Sequence, residues 1–241
     1  MLNGKVALIT GGSRGLGRAL ARTFAENGAK VAFSFARDTA GAEATAAAIP
    51  SLSKQFQVSV LDVAGTEKMI AEIERDWGGI DILVNNAGVS QAMPLALMEE
   101  EDWDRVMDIN VKGTFLTSKS VLRGMIRRKR GVVLNVGSLV GVRMIEAPIH
   151  YVASKAAIKG LTEALAKEVA RYGIRVICLA PGLLEDGVGR NLPDYRLADY
   201  LKHCSLGRLG GLNEVANLAA FLVSDANGYM SGETVVIDGG L

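Results

Sequence analysis

The sequence predicts an α/β protein in which a single doubly wound parallel sheet is flanked by helices on both faces. Short apolar runs rich in β-branched residues alternate with longer amphipathic stretches along the whole chain, as strands alternate with helices in such sheets. The 241 residues suffice for one sizeable domain, and no linker, repeat or low-complexity segment divides them. We therefore expect one domain over residues 1–241.

The first half of the chain alternates strand and helix. The run KVALIT at residues 5–10 predicts a buried strand, and the periodic apolar residues at 16–27 predict a helix that ends at Gly28, because glycine tolerates positive φ. A second strand at 31–35 and an Ala- and Glu-rich helix at 39–49 follow. Further apolar runs predict strands at 56–61 and 82–84.

The second half continues the alternation. Helical patterns at 99–108 and 112–127 precede a strand at 131–136, and a helical pattern at 151–172 precedes strands at 174–179 and 234–237. Such sheets bind their ligands outside the carboxyl ends of the strands. The candidates for chemistry are therefore the residues that directly follow a predicted strand.

Composition argues against several classes of function. The chain is 49% hydrophobic and 22% charged, as in folded soluble proteins, and its net charge of +1 favours neither nucleic acid nor an anionic membrane. Two cysteines make no disulfide framework, and Cys178 lies in an apolar stretch typical of a buried thiol. Two histidines without close Cys/His spacing argue against a metal centre. Without a recognisable signal peptide or transmembrane run, we expect a cytoplasmic protein.

A glycine-rich turn lies between the first predicted strand and the first helix. Its sequence, TGGSRGLG at residues 10–17, has the spacing G-x-x-x-G-x-G and lacks the lysine of a P-loop NTPase. Glycine lets the backbone approach a pyrophosphate, and a helix N-terminus offers unpaired N–H groups and a favourable dipole. The turn predicts a dinucleotide site made of Gly11, Ser13, Arg14, Gly15, Leu16 and Gly17.

The end of the second strand selects between NAD and NADP. A carboxylate there would bind the ribose 2′-hydroxyl and repel a 2′-phosphate. Phe35 occupies that position, Arg37 follows it, and Arg14 projects from the glycine turn. Two guanidinium groups suit a phosphate dianion, which favours NADP (NADPH) as the cofactor. The alternative is that Arg37 is a solvated loop residue paired with Asp38.

Tyr151 and Lys155 are the leading catalytic candidates. They are four residues apart at the start of a predicted helix, so both side chains lie on one face. A nearby ammonium lowers the pKa of a phenol, which is otherwise about 10. The spacing alone also fits a surface pair. Ser138 favours catalysis, because it follows a strand at the carboxyl edge, where its hydroxyl can hold a carbonyl oxygen beside the tyrosine.

Two groups of asparagines add to this set. The segment Asn85-Asn86-Ala87-Gly88 follows the strand at 82–84 and fits either a cofactor-lining segment or a simple turn. Asn110 lies at the junction of two helical patterns in an apolar neighbourhood. By itself it indicates a helix kink or a satisfied polar group, and it could also bind a water beside Lys155.

Taken together, the motifs resemble the short-chain dehydrogenase/reductase family. TGGSRGLG, NNAG, Asn110, Ser138, the YVASK of residues 151–155 and Pro181-Gly182 match that family in order and spacing over nearly the full chain. The C-terminal segments LGRLG, EVA, FLVSD and DGG resemble its β-ketoacyl-acyl-carrier-protein reductase branch, although many sugar, steroid and alcohol dehydrogenases share them. The resemblance implies a Rossmann-type fold and hydride transfer with a nicotinamide cofactor.

The resemblance also implies roles for single residues. Tyr151 would protonate the carbonyl oxygen and Ser138 would orient it. Lys155 would bind the nicotinamide ribose and lower the tyrosine pKa, and Asn110 would hold a proton-relay water. Beyond the glycine turn and Arg37, the implied cofactor contacts are Asp62 and Val63 at the adenine, Asn86, Ala87 and Gly88 along the adenosine side, and Pro181, Gly182 and Leu184 after the strand at 174–179.

The chain departs from the family after Pro181-Gly182. Asp186 aligns with a threonine that usually contacts the nicotinamide carboxamide, and an ionised carboxylate cannot donate a hydrogen bond. The contact is therefore expected from the backbone of Leu183 or Leu184. Residues 183–205 correspond to the substrate lid of the family, but their side chains do not specify one ligand.

The expected activity is NADPH-dependent reduction of a ketone, with a β-ketoacyl thioester of acyl-carrier-protein or polyketide type as the leading substrate. The alternatives are an NAD(P)-dependent dehydrogenase of a small alcohol, sugar or steroid, and a non-catalytic cofactor-binding subunit of a hetero-oligomeric reductase. An acidic carrier could meet Arg127, Arg128, Lys129, Arg130 and Arg171, which serve equally well to complement a helix dipole. The resemblance implies a homotetramer, with a hetero-oligomer as the alternative.

Overall fold

The computed structural model describes residues 1–49, 52–187 and 194–241. Within these ranges, seven parallel strands form one sheet in the order β3-β2-β1-β4-β5-β6-β7. The strands are β1 (Val6–Thr10), β2 (Lys30–Phe35), β3 (Ser53–Gln57), β4 (Ile82–Asn85), β5 (Gly131–Val136), β6 (Ile174–Pro181) and β7 (Thr234–Ile237). The predicted doubly wound sheet is confirmed, and its topological switch point lies between β1 and β4.

Helices cover both faces of the sheet. Those described are α1 (Gly15–Glu26), α2 (Thr39–Ala47), α3 (Val63–Trp77), α4 (Glu100–Met107), α5 (Gly113–Arg128), α6 (Ile149–Val169), α7 (Asp194–His203) and α8 (Leu212–Val223). Helices α1 and α8 bury their apolar faces in one core layer, whereas α3, α5 and α6 bury theirs in the other. None of the helices described combines the length and the apolar character needed to span a bilayer.

Most predicted boundaries agree with the structure within two residues, and the strands at 131–136 and 234–237 agree fully. Helix α1 ends just before Gly28, which has φ +93° as expected. The third strand is the exception: the prediction of 56–61 is wrong, because β3 occupies Ser53–Gln57. This edge strand is polar and partly exposed, and its register is decided by pairing with β2, so the apolar pattern did not locate it.

Two further predictions concern the cysteines and the lid. Cys178 and Cys204 are both buried free thiols. Of the predicted lid at 183–205, residues 188–193 lie outside the described residues, and α7 forms most of the rest.

Candidate active site

The structure brings Ser138, Tyr151 and Lys155 together at the carboxyl edge of the sheet. Tyr151 and Lys155 lie in the first two turns of α6, and Ser138 follows β5. The buried Lys155 ammonium donates a hydrogen bond of 2.8 Å to the carbonyl oxygen of Val136, the last residue of β5. The same Nζ lies 5.6 Å from the centroid of the Tyr151 ring. The alternative of an exposed surface pair is therefore wrong for Lys155, which is buried.

Gly141 allows this cluster to form. The short 3₁₀ turn Leu139–Gly141 follows Ser138 and packs directly on α6. A Cβ on Gly141 would lie 2.6 Å from the carbonyl carbon of Lys155, so a side chain has no space there. Gly141 was not predicted to belong to the site, although a glycine three residues after the candidate serine is a pattern that indicates a close backbone contact.

Burial shifts the pKa values of the two candidate catalytic groups. It raises the pKa of the Tyr151 phenol, an effect that the Ser138 hydroxyl partly opposes. It also lowers the pKa of the Lys155 ammonium to about 8. The expected lowering of the Tyr151 pKa is therefore wrong, because desolvation of the phenol is the largest effect on that pKa. At neutral pH the phenol keeps its proton and can act as a proton donor.

Asn110 joins three segments of the site. It is buried in a π-helical turn, Asp108–Lys112, which links α4 to α5, as its position between two helical patterns suggested. Its Oδ1 accepts from the Val89 N–H at 2.8 Å, and its Nδ2 donates to the Val89 carbonyl at 3.0 Å and to Ser154 Oγ at 2.9 Å. A Cβ on Gly88 would lie 3.3 Å from this Oδ1 and 3.7 Å from Lys155 Nζ. Asn110 thus fixes the segment after β4 beside the lysine.

The segment after β4 is also joined to the glycine-rich turn. Asn86 Nδ2 donates to the carbonyl oxygens of Thr10 and Gly11, both at 3.0 Å. The Thr10 hydroxyl accepts from the backbone N–H groups of Asn86 and Ala87, both at 3.0 Å. Gly11 has φ +69°, and a Cβ there would lie 2.9 Å from Ala87 Cα. The two predicted cofactor segments therefore form one rigid unit at the switch point.

The first turn of α1 fits a pyrophosphate. Its N-cap, Arg14, is extended and provides no side-chain acceptor, and the first turn contains no acidic residue. The N–H groups of Gly15, Leu16 and Gly17 have no partner in the described part of the chain, so they can bind an anion. Arg18 stabilises this turn by donating a hydrogen bond of 2.7 Å to the carbonyl oxygen of the buried Ser13. It was not among the residues predicted from the sequence.

The surroundings of β2 fit a 2′-phosphate. Phe35 is buried at the end of the strand, whereas Arg14 and Arg37 are exposed and form no ion pair within the described ranges. Asp38, the alternative partner of Arg37, instead caps α2 by accepting from the Gly41 N–H at 2.9 Å. Two guanidinium groups are therefore available to an anionic ligand beside the glycine turn.

Asp62 and Val63 are exposed at the start of α3. Because β3 ends at Gln57, Asp62 does not directly follow the third strand as predicted. Its carboxylate caps α3 by accepting from the Gly65 N–H at 2.9 Å. The adenine contact therefore stays a prediction for these two residues.

On the nicotinamide side, Leu184 has the available backbone. Leu183 uses both its backbone groups, donating to Tyr200 Oη at 2.9 Å and accepting from the Gly210 N–H at 3.0 Å. The N–H and carbonyl of Leu184 make no hydrogen bond within the described residues. Of the two expected replacements for the missing threonine contact, only Leu184 therefore has backbone groups without a partner in the described part of the chain.

Helix α7, which lies in the predicted lid, contacts residues that precede α6 and follow β6. Arg196 pairs with Glu146, which precedes α6, at 2.6 Å. A Cβ on Gly182 would lie 2.5 Å from Tyr200 Oη, so the glycine of the predicted Pro181-Gly182 pair leaves the space that the Tyr200 hydroxyl occupies. Asp186 accepts a hydrogen bond of 2.8 Å from the next backbone N–H.

The basic residues considered for carrier binding lie at the opposite, amino edge of the sheet. Arg130 directly precedes β5, and it pairs with Asp81 at 3.3 Å. Arg128 pairs with Glu74 at 3.2 Å, so part of this charge is neutralised within the chain. The exposed members are Arg127, Lys129, Arg130 and Arg171.

Comparison with known proteins is consistent along the whole chain. Residues 5–195 match the family described as short chain dehydrogenase. The 3-oxoacyl-[acyl-carrier-protein] reductase FabG of Escherichia coli is 40% identical over 238 residues, which cover 99% of this chain and 97% of the relative. The corresponding protein of Vibrio cholerae is 40% identical over 240 residues, which cover 100% of this chain and 98% of the relative. A doubly substituted short-chain dehydrogenase/reductase from Serratia marcescens superposes with a TM-score of 0.91 at 30% identity, covering 99% of this chain and 98% of its own.

Proposed function

The chain belongs to the short-chain dehydrogenase/reductase family, and we propose that it reduces β-ketoacyl thioesters to β-hydroxyacyl thioesters. It is an oxidoreductase, and NADP is the cofactor that follows from this membership. The substrate class comes from the relatives, which act as 3-oxoacyl-[acyl-carrier-protein] reductases and are similar over the full length of the chain.

The observation that carries the proposal is the cluster of Ser138, Tyr151 and Lys155. Reduction of a ketone needs a proton for the carbonyl oxygen while hydride is added to the carbonyl carbon. A phenol with an ordinary pKa of about 10 is protonated at neutral pH, and burial raises the pKa of Tyr151 further, so the side chain is in the form that a reductase requires. The Lys155 ammonium, 5.6 Å from the same ring, is placed to stabilise the phenolate that proton transfer leaves behind.

We assign the binding of the cofactor to residues that follow the carboxyl ends of β1, β2 and β6. The free N–H groups at the start of α1 would bind the pyrophosphate, Arg14 and Arg37 would bind the 2′-phosphate, and the Leu184 backbone would bind the carboxamide. When bound, NADPH supplies the hydride for the substrate carbonyl carbon. This requires the carbonyl to lie at the carboxyl edge, beside Ser138.

The remaining steps belong to side chains of this protein. The Ser138 hydroxyl donates to the carbonyl oxygen and holds it next to Tyr151. Tyr151 Oη then gives its proton to that oxygen as negative charge develops on it, which completes the secondary alcohol. We assign to Asn110 the task of holding the segment after β4 beside Lys155. Its resemblance to the family asparagine also assigns to it the relay water through which the phenolate would regain a proton.

Turnover of acetoacetyl thioesters tests this function. The purified protein should oxidise NADPH with acetoacetyl-carrier protein or acetoacetyl-coenzyme A, followed by the nicotinamide absorbance. Tyr151→Phe should abolish turnover and leave NADPH binding intact, whereas Tyr229→Phe, at a fully exposed tyrosine, should change neither. Failure on both thioesters, or a clear preference for a small alcohol, sugar or steroid, would reject the proposed substrate.

We also propose that the exposed part of the basic cluster meets an acidic carrier protein. The six residues of β5 separate Arg130 from the Ser138 end of the sheet, a distance of about 20 Å. A thioester on a carrier docked there must therefore be carried along the sheet or enter a neighbouring subunit. Arg127→Glu and Arg171→Glu should each raise KM for the carrier-bound substrate but not for the coenzyme A thioester.

A homotetramer and a cytoplasmic location complete the proposal. The sheet edge β7 is partly exposed, and Phe115 on α5 and Phe221 on α8 present apolar surface. These features support two-fold contacts through the helices and the C-terminal strand. Native mass spectrometry at micromolar concentration should show four copies, and a stable monomer would reject this assembly.

A further inference from the structure

The residue before the catalytic tyrosine is a histidine that has no role in the steps described so far. His150 is fully buried near the start of α6. The first N–H groups of a helix need partners, and the N-cap of α6, Pro148, has no side-chain acceptor. The His150 ring fills this role, because its Nδ1 accepts from the Tyr151 backbone N–H at 2.8 Å.

This hydrogen bond determines the form of the ring. An Nδ1 that accepts carries no proton, so the neutral imidazole must bear its proton on Nε2. Nε2 is also buried, and it has no hydrogen-bond partner within the described residues. A second proton would have to go onto Nδ1, and it would remove the acceptor of the Tyr151 N–H. Protonation of His150 and the placement of Tyr151 are therefore coupled.

Burial disfavours protonation of the ring. It lowers the pKa of His150, whereas the Asp102 carboxylate on the neighbouring helix α4 and the backbone carbonyl of Pro148 act in the opposite direction. In the π-helical turn that also packs on α6, Asp108 and Lys112 pair with each other at 3.3 Å. On α6 itself the titratable neighbours are Tyr151 and Lys155.

We propose that His150 is a positioning residue, which in its neutral Nε2–H form holds the Tyr151 backbone in place for proton transfer and releases it when protonated. The inference rests on the proposed role of Tyr151. The Tyr151 phenol must meet both Ser138 and the Lys155 ammonium, whose own place is fixed by its bond to Val136. A displacement of about 1 Å at such a site costs up to roughly a hundredfold in rate.

Three variants of the full-length protein test the proposal. His150→Asn keeps a side-chain acceptor but does not titrate, His150→Leu fills the space without an acceptor, and His203→Gln changes the exposed histidine as a control. The measurement is kcat/KM between about pH 5 and pH 8, the range in which histidine titrates. The native protein and His203→Gln should lose turnover at the acid end. In His150→Asn, kcat/KM should no longer fall at the acid end and should stay within a few-fold of the native value at neutral pH. In His150→Leu, kcat/KM should be about tenfold or more below the native value at every pH.

A second measurement does not depend on activity or on the stability of the leucine variant. The chain has two histidines, so ¹⁵N spectra of the native protein and His203→Gln assign both rings. His150 should show an unprotonated Nδ1 and a protonated Nε2 at neutral pH. The Nδ1–H tautomer, or an acid limb that His150→Asn leaves unchanged, would overturn the proposal. If no carbonyl is reduced at all, the proposed function fails. The tautomer seen in the ¹⁵N spectrum still shows whether His150 accepts the hydrogen bond from the Tyr151 N–H.

Discussion

The backbone of Gly141 lies against the backbone of Lys155 with no room for a side chain between them. A Cβ on Gly141 would be 2.6 Å from the Lys155 carbonyl carbon and 2.8 Å from its oxygen. Both atoms belong to the backbone of α6, so a change of rotamer cannot make space. This contact holds the turn that carries Ser138 against the helix that carries Tyr151.

Gly141→Ala should therefore damage catalysis more than stability. Overpacking of this kind costs about 1–3 kcal/mol, and the displaced turn should lower kcat/KM by roughly tenfold to a hundredfold. Gly160→Ala is the matched control. Gly160 lies on α6, the helix that carries Lys155, it is exposed, and an added Cβ has nothing within 4 Å. It should leave turnover unchanged and stabilise the helix by up to about 1 kcal/mol. Equal effects of the two substitutions on turnover would show that the contact between Gly141 and Lys155 does not position the turn that carries Ser138.

Lys155→Met should remove turnover without weakening the fold. Burial of the ammonium destabilises the native state, so removal of the charge offsets the loss of its hydrogen bond to Val136, which contributes about 1.5–3 kcal/mol because the donor is charged. We expect the free energy of unfolding in urea at pH 7 to stay within about 1 kcal/mol of the native value or to rise. A fall of several kcal/mol would show that Lys155 stabilises the structure.

The same lysine predicts the pH dependence of stability on the basic side. Its folded pKa is about 8 against 10.5 for a free lysine, so between these values the unfolded chain binds more protons. The Lys155 contribution to the free energy of unfolding should therefore rise as pH increases from 8 to 10.5. Urea unfolding at both limits should show that the free energy of unfolding of the native protein, relative to that of Lys155→Met, is greater at pH 10.5 than at pH 8.

Arg37→Ala should change the choice of cofactor. Loss of a charge-assisted bond to the 2′-phosphate should raise KM for NADPH by roughly tenfold to a hundredfold and leave NADH nearly unaffected. Arg14→Ala should act in the same direction. Arg123→Ala, at an exposed arginine of α5, serves as the control for a general loss of positive charge. A proportional loss with both cofactors would mean that Arg37 does not contact the 2′-phosphate.

His150 should make the fold sensitive to acid. Burial lowers its pKa, so below the usual value of about 6.5 the unfolded chain takes up a proton that the native ring resists. The stability contributed by the neutral ring is thus lost as pH falls, by at most about 1.4 kcal/mol per pH unit. Melting temperatures measured from neutral pH down to about pH 5 should fall less in His150→Asn than in the native protein. Parallel curves for the two proteins would exclude His150 as a source of acid sensitivity.

The sequence predicted the parts of the fold whose signals are local. Strands such as β5 are buried on both faces and read as continuous apolar runs, so their limits were found closely. The polar edge strand β3 gave no such signal, and its misplacement also misplaced Asp62 relative to the strand end. Edge strands depend on a partner for their register, which no local pattern contains.

The same division applies to the site. Sequence by itself determined the family, the glycine-rich turn and the residue types of the catalytic cluster, because their spacing along one strand end or one helix face is local. Only the tertiary structure decided that Asp38 caps α2, that Arg37 forms no ion pair within the described residues, that Gly141 must be glycine, and that His150 accepts a hydrogen bond from the Tyr151 backbone. It also reversed the expected direction of the Tyr151 pKa. Burial and contacts between distant segments produce these effects, and both exist only once the sheet and its helices have packed together.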